Sequence, residues 1–309
     1  MAFNIDTHWV WDFWIADDGA TYNMFYLHAP KSLGDPELRH RNARIGRATS
    51  EDLHTWTDHG EVLGPGDPGN FDATATWTGS VVRGDDGLWR MFYTGTVFAS
   101  AQSSSNVQAI GMATSTDLAT WIKRDDLVMR ADAQFYEKLG ESDWPEEAWR
   151  DPWVFRDSSG DGWHMLITAR AKNAERGGGA VIGYARSPDL EHWDVRPPLS
   201  APAHDFAHCE VFQLTEIDGE PTIIFCASRR HAVGDEISAY EGVWAVAGSP
   251  LEGSVAVDRA RLVAPAPLYA GKVINSREGR PVLLAFVGSP GSTKLEGITD
   301  PIPFPGEQS

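Results

Sequence analysis

Short apolar runs, rather than long helical stripes, recur along this chain. Alternating or fully apolar segments follow Asp-Gly pairs at three places, within residues 86–94, 161–168 and 218–226. An Asp-Gly pair ahead of such a run is a strong hairpin signal, and runs of five or six residues between turns have the length of strands. Helical periodicity over more than ten residues is hard to find. The pattern therefore predicts an all-β chain.

A motif of Gly-x-Ala-x-Ser-x-Asp-Leu-x-x-Trp recurs between these runs, at residues 46–56, 111–121 and 183–193. Each copy predicts a strand of small residues, a Ser/Asp turn, and a Leu and a Trp that pack the edge of the unit. The copies lie about 60 to 70 residues apart, so 309 residues hold about five units. Radially repeated four-stranded sheets form a propeller, whereas a two-sheet sandwich, the structural alternative, does not require the repeat.

The sequence thus predicts a five-bladed β-propeller with a central funnel, formed by residues 1–309 as a single catalytic domain. Blade one is expected to start near His8. The other four blades are expected to centre on residues 77–121, 150–193, 209–247 and 269–286.

Three acids lie in apolar or aromatic surroundings at the start of predicted inner strands. Asp12 lies between Trp11 and Phe13, Asp151 follows Arg150, and Glu210 lies within the segment His-Cys-Glu-Val-Phe. A carboxylate among aromatic side chains is costly to bury without a partner, and such acids concentrate at functional sites. Inner strands of a propeller line the central channel, so acids from blades one, three and four can meet there. Three carboxylates in an aromatic pocket indicate sugar chemistry.

The composition of the chain disfavours some classes of binding partner. Asp and Glu outnumber Lys and Arg by 44 to 26, and the formal net charge of -18 disfavours nucleic acid and anionic membranes. The 2 cysteines cannot form a disulfide framework, and no Cys/His cluster has zinc-ligand spacing, so no metal or cofactor is predicted. No secretion signal or apolar stretch of membrane-spanning length is present. We expect a cytoplasmic protein that binds a small saccharide, in an oligomeric state that the sequence does not predict.

The ordered motifs resemble those of glycoside hydrolase families 32 and 68, the five-bladed fructosidases that include invertases and levansucrases. Residues 10–14 resemble the family 68 Val-Trp-Asp-x-Trp segment, and the Arg-Asp-Pro at 150–152 matches both families. Further similarities lie in residues 77–80, 91–95, 209–210, 268–270 and 279–284. The chain departs from family 32 where Leu27 replaces a Gln and Val211 replaces a Pro, so substrate contacts are expected to differ. We expect no counterpart of the β-sandwich that family 32 appends.

The resemblance implies a role for each acid. Asp12 would be the nucleophile, Glu210 the general acid and base, and Asp151 the acceptor of hydrogen bonds from sugar hydroxyls. The residues expected to contact the sugar are Trp11, Trp14, Trp77, Ser80, Arg150 and His208. Trp56, Trp121 and Trp193, one in each repeat, are expected to pack the blades instead.

The function indicated is a retaining glycoside hydrolase acting on fructofuranosides such as sucrose or short fructo-oligosaccharides, with fructosyl transfer left open. Two alternatives remain at this point. An inverting arabinofuranosidase-type enzyme would place its carboxylates about 6.5 to 9.5 Å apart, against about 5 to 5.5 Å for a retaining enzyme. A non-catalytic sugar-binding propeller would keep the pocket without the chemistry.

Overall fold

Five antiparallel sheets surround a central axis in a computed structural model of the chain, which confirms the predicted five-bladed β-propeller. The structure describes residues 3–174, 178–227, 241–253, 255–277, 279–288 and 294–304. Each innermost strand contacts the innermost strands of the two neighbouring blades, and that of blade five contacts that of blade one. The ring is therefore closed.

Blades one to three follow the order inner strand to outer strand along the chain. Blade one contains β1 (His8–Asp17), β2 (Tyr22–Pro30), β3 (Arg44–Ser50) and β4 (Thr57–Leu63). Blade two contains β5 (Ala75–Arg83), β6 (Trp89–Phe98), β7 (Asn106–Ser115), β8 (Ile122–Met129) and the short β9 (Glu146–Glu147), which pairs in parallel with β7. Blade three contains β10 (Trp149–Arg156), β11 (Trp163–Arg170), β12 (Ala180–Ser187) and β13 (Asp194–Arg196).

Blade four follows the same order, whereas in blade five the two short last strands both pair with the second strand. Blade four contains β14 (Glu210–Ile217), β15 (Glu220–Ala227), β16 (Gly242–Ala247) and β17 (Arg261–Pro265). Blade five contains β18 (Leu268–Asn275), β19 (Pro281–Val287), β20 (Gly297–Ile298) and β21 (Ile302–Pro303). Within the residues that the structure describes, short 3₁₀ helices lie between strands at Lys31–Leu33, Pro36–Arg41 and Val257–Arg259.

The N-terminal segment joins the two ends of the ring. Phe3 forms an antiparallel bridge with Ile298 of blade five, and the two residues exchange N–H···O bonds of 2.7 and 2.8 Å. The chain then enters blade one at His8. Blade five is thereby extended by a residue from the opposite end of the chain, which ties the last blade to the first through backbone hydrogen bonds.

The repeated motif forms the turn between the third and fourth strands of blades one to three. In blade one, Asp52 Oδ1 accepts hydrogen bonds from the N–H groups of His54 (2.8 Å) and Thr55 (2.7 Å). Leu53 adopts a left-handed φ of 65°, and Trp56 Nε1 donates to its carbonyl at 3.1 Å. The same contacts recur in the other two copies. The side-chain hydrogen bonds of Asp explain why this sequence specifies a turn.

The tryptophans of the repeat pack one blade against another, as the sequence predicts. Trp121 of blade two meets the edge of Phe25 in blade one with ring centroids 5.5 Å apart. Trp193 of blade three meets Phe92 of blade two in the same way at 5.2 Å. The hydrophobic core therefore lies between the sheets, which leaves the axis to polar groups.

Candidate active site

The inner strands open at one end of the axis into a cavity of about 610 Å³. Asp12 of blade one, Asp151 of blade three and Glu210 of blade four all line it. The structure thus brings together three acids that are far apart in the sequence. Their assigned roles remain predictions at this point.

A β-bulge in every inner strand explains how the acids reach the axis. The register between the first and second strand shifts at one place in each blade, next to residues 12, 78, 151–152, 211–212 and 270–271. Asp151, Val211 and Ala270 have left-handed φ values of 56°, 58° and 49° there. A bulge adds a residue to one strand and redirects the neighbouring side chains. In each blade a residue within the bulge or directly before it lines the cavity, namely Asp12, Thr78, Asp151, Glu210 and Tyr269.

Asp12 lies within the bulge of β1. Its Oδ2 accepts a hydrogen bond of 2.7 Å from Thr78 Oγ1, on the neighbouring inner strand. Burial raises the pKa of Asp12, and the negative charge of Glu210 adds to this effect. The Thr78 hydrogen bond and the positive charge of Arg39 act in the opposite direction and favour the carboxylate.

Asp151 is more enclosed, with an exposed fraction of 4%. Its Oδ2 accepts hydrogen bonds from Thr168 Oγ1 at 2.9 Å and from the Val211 N–H at 3.4 Å. Burial raises the pKa of Asp151 to about 7, and the charges of Glu210 and Asp12 contribute, while Arg150 opposes the rise. The carboxyl group of Asp151 therefore titrates close to neutral pH.

Glu210 is held from two sides. Its Oε1 accepts a hydrogen bond of 2.5 Å from Arg150 Nη2, and its Oε2 accepts one of 2.5 Å from the hydroxyl of Tyr269 in blade five. Arg150 also approaches Glu146 at 3.1 Å and Asp151 at 3.5 Å. One guanidinium therefore connects two of the three acids and carries a charge that partly balances them.

His208 supports Arg150 from behind the cavity wall. Arg150 Nη2 donates to His208 Nδ1 at 2.9 Å, and a guanidinium has no acceptor, so the imidazole accepts through Nδ1 and carries its proton on Nε2. The side chain is fully buried and does not line the cavity. The prediction that His208 contacts the sugar is corrected accordingly, because its contact is with Arg150.

The other predicted sugar contacts divide into two groups. Trp11, Trp77 and Arg150 line the cavity. Trp14 does not, since it is 0% exposed and stacks on Phe25 in the core between blades. Ser80 is also buried, and its Oγ accepts a hydrogen bond from the Val154 N–H at 3.0 Å, which joins blades two and three. Both predictions are wrong because residues beyond the bulge turn toward the neighbouring blade.

Several lining residues were not identified from the sequence. Arg39, on the 3₁₀ helix Pro36–Arg41, places its guanidinium carbon 5.7 Å from the Trp11 ring centroid. Trp144 and Glu146 reach the rim because β9 pairs with β7. Tyr269 lies in the segment that resembles blade five of family 32, and that similarity was a usable signal. Arg39, Trp144 and Glu146 lie in segments for which the sequence offers no such family similarity.

We expect Thr78→Val to shift the acidic limb of the activity profile to higher pH. The variant removes the hydrogen bond that favours the Asp12 carboxylate, so the pKa of Asp12 rises further and a nucleophile in its ionised form appears only at higher pH. The shift should be about one unit in kcat/KM against pH. Thr76→Val is the matched control, because Thr76 lies on the same strand and donates to the Ala43 carbonyl instead. Identical profiles for the two variants would contradict the assignment.

The stability of Asp151→Asn relative to that of the wild type should increase as the pH rises. An acid whose pKa is raised to about 7 in the folded state binds more protons than the unfolded chain between about pH 4 and 7, so the wild type loses stability across that window. We expect the melting temperature of the variant minus that of the wild type to increase by about 4 °C or more between pH 5 and pH 8. Asp52→Asn is the control, since backbone hydrogen bonds lower the pKa of Asp52 to about 2 and it is ionised throughout. A constant difference for Asp151→Asn would refute the prediction.

No group of three or more His, Cys, Asp or Glu in residues 3–174, 178–227, 241–253, 255–277, 279–288 and 294–304 is arranged to hold a metal ion. Within the same residues, no helix is long and apolar enough to cross a membrane.

Comparison with known proteins agrees with the fold and the motifs. The chain is 26% identical over 255 residues to a sucrose-6-phosphate hydrolase of Pediococcus pentosaceus, covering 78% of this chain and 46% of the relative. It is 27% identical over 235 residues to an insoluble isoenzyme of beta-fructofuranosidase from Arabidopsis thaliana, covering 71% and 39%. The chain thus spans less than half the length of these curated relatives.

The solved structure of inulosucrase from Halalkalicoccus jeotgali, bound to kestose, superimposes with a TM-score of 0.73 at 21% identity, covering 93% of this chain and 79% of that one. This likeness supports the fold. The model of the glycosyl hydrolases family 32 N-terminal domain matches residues 14–300, nearly the whole chain. The protein therefore belongs to glycosyl hydrolase family 32.

Proposed function

We propose that this protein is a retaining glycoside hydrolase that cleaves fructofuranosides such as sucrose or short fructo-oligosaccharides. The observation that carries the proposal is the position of Asp12, Asp151 and Glu210 on one cavity, with Arg150 joining two of them. Membership of family 32 supports the choice of a fructofuranoside. The sugar-processing names of the two curated relatives point the same way.

The proposed reaction has two displacement steps. In the first, the Asp12 carboxylate attacks the anomeric carbon while Glu210 donates its proton to the leaving oxygen, so that the glycosidic bond breaks and a fructosyl ester of Asp12 forms. In the second, Glu210 accepts a proton from water as the water oxygen attacks the same carbon and releases Asp12. Both acids return to their original protonation states.

Asp151 and Arg150 would stabilise the intervening transition state. Positive charge develops on the sugar ring in the transition state. The hydrogen bonds that the ring hydroxyls donate to the Asp151 carboxylate become stronger as this charge grows. Arg150 holds Glu210 and Asp151 in fixed relative positions, which supplies the preorganisation that such stabilisation needs. Trp11 and Trp77 offer apolar faces against which a sugar ring can stack.

The cavity is large enough for a saccharide of more than one ring, and its outer part is polar. Gln102, Ser103, Ser104 and Asn106 line the side next to blade two. We assign this side to the leaving group, or to a sugar acceptor when fructosyl transfer replaces hydrolysis. The cytoplasmic location and the single catalytic domain expected from the sequence stay predictions.

The purified protein incubated with sucrose, short fructans and an aryl arabinofuranoside would test the proposal. We expect release of fructose from the first two substrates, with the β anomer formed first in proton NMR spectra. Cleavage of the arabinofuranoside with inversion would favour the arabinofuranosidase alternative. Binding of sugars without cleavage of any furanoside would favour a sugar-binding propeller, and either result would overturn the proposal.

A further inference from the structure

A buried lysine lies beneath the acids. Lys272 directly follows the bulge of β18 and is 2% exposed. Its Nζ donates to the carbonyl of Val211 at 3.2 Å and lies 3.5 Å from that of Phe212. It also lies 5.0 Å from the ring centroid of Trp153. Among the ion pairs of the described residues none involves Lys272.

Such a position is unfavourable for an ammonium group unless the surroundings compensate. Burial lowers the pKa of Lys272 to about 8, while the negative charges of the nearby Asp151 and Asp12 oppose the decrease. Below that pH the side chain is a cation enclosed in protein, stabilised by carbonyl dipoles and an aromatic face. A lysine at the outer edge of a blade would avoid this burial.

The two carbonyls that receive the ammonium belong to the bulge that follows Glu210. Val211 has a left-handed φ of 58°, which a β-branched residue rarely adopts and which its surroundings must maintain. The N–H of the same residue donates to Asp151 Oδ2. The backbone of Val211 therefore connects Lys272 with Asp151, and its position helps to set the direction in which Glu210 points.

We propose that Lys272 is a positioning residue for the reaction assigned above: it fixes the Val211–Phe212 bulge through its hydrogen bonds, and its positive charge favours the ionised forms of the nearby Asp12 and Asp151. The first part acts through hydrogen bonds and the second through charge. The proposal rests on the proposed function for its kinetic consequences. Its electrostatic consequence can be measured without any substrate.

Several other groups act on the same acids and set the background. Arg150 and Thr168 contact Asp151, Thr78 and Arg39 favour the ionised form of Asp12, and Tyr269 donates to Glu210. Cys226 of blade four faces Lys272, and burial raises its pKa to about 12, so the thiol stays neutral. Lys272 therefore acts on the carboxylates together with the cationic side chains of Arg150 and Arg39.

Two substitutions separate the two parts of the proposal. Lys272→Gln removes the charge and keeps an N–H donor for the bulge carbonyls. Lys272→Met removes both. Lys123→Gln is the matched control, because Lys123 is a partly buried lysine that pairs with Asp72 away from the cavity. Melting temperatures of all three variants would be measured first, so that kinetics are compared only where the protein is folded.

The substrate-free measurement is a carbon-13 NMR titration of the Asp12 and Asp151 carboxyl groups. We expect both pKa values to rise by at least about half a unit in Lys272→Gln and Lys272→Met and to stay unchanged in Lys123→Gln. Unchanged values in all variants would overturn the electrostatic part. This result stands even if the wild type cleaves no fructoside, a finding that would refute the proposed function instead.

The kinetic measurement is the pH profile of kcat/KM on sucrose. The acidic limb should move to higher pH in both Lys272 variants, and Lys272→Met should lose about 10-fold more in kcat than Lys272→Gln because only Met leaves the bulge carbonyls without a donor. Equal kcat values for Gln and Met would overturn the positioning part. A lower melting temperature with an unchanged profile would show that Lys272 has only a structural role.

Discussion

Asp12→Asn should lower kcat on sucrose or short fructans by about 10⁴-fold or more, the largest effect expected of any single substitution in this protein. Asn keeps the size of the side chain and can still accept the hydrogen bond from Thr78 Oγ1. It has no carboxylate with which to form the fructosyl ester, so the first displacement is lost. Initial rates of glucose and fructose release, at enzyme concentrations high enough to detect slow turnover, would measure the effect.

A control for Asp12→Asn is available on the same strand pair. Asp18 lies in the turn after β1, where backbone hydrogen bonds hold its carboxylate, and it does not line the cavity. Asp18→Asn should keep wild-type kinetics. Asp12→Asn should also still bind sucrose, seen as an increase in melting temperature with added sugar. Activity within 10-fold of the wild type for Asp12→Asn would remove Asp12 as the nucleophile.

Glu210→Gln should lower kcat on sucrose by about 10³-fold, and the loss should depend on the leaving group. A sugar alkoxide leaves poorly without protonation, whereas an activated aryl group leaves without help. We therefore expect a smaller loss in the first step for an aryl β-fructofuranoside. Pre-steady-state release of the aryl alcohol would measure that step separately from the hydrolysis of the ester.

Added azide extends the test of Glu210→Gln. Azide attacks the fructosyl ester without needing a general base, so it should accelerate turnover of the aryl substrate and give a fructosyl azide of retained configuration. Tyr269 and Arg150, which contact Glu210, remain in the variant, so the cavity keeps its shape. The same fractional loss for sucrose and for the aryl substrate, with no response to azide, would exclude Glu210 as the acid and base.

The fold could be predicted from the sequence because its turns are specified locally. The repeated Asp accepts hydrogen bonds from the backbone two and three residues ahead, and the following Leu turns the chain with a left-handed φ, as at Asp52 and Leu53. The Asp218-Gly219 pair likewise has φ values of 52° and 85°, which suit a two-residue hairpin. Contacts between residues that are close along the chain can be predicted from a sequence. The spacing of the three copies of this turn, compared with the length of 309 residues, indicated about five blades.

The site was only partly predictable because its remaining contacts are distant along the chain. Trp14 and Ser80 were predicted to face the cavity but lie between blades. A bulge changes which residues face the axis, and its position cannot be predicted from residue type. Composition alone favours a solvated surface for the acidic segment 137–147. In the structure Glu137 pairs with Arg170 at 2.5 Å, and Glu146 reaches Arg150 at 3.1 Å. Those partners could be identified only after the blades were placed.

The bulge that recurs in all five inner strands gives every blade the same backbone feature at the site, while the side chains it carries differ from blade to blade. Each blade supplies one bulge as an anchor point, and blades one and three hold acids there, whereas blades two, four and five hold Thr78, Val211 and Ala270. A new reaction type on this scaffold would therefore require exchanging side chains among fixed anchor points, with the backbone left as it is.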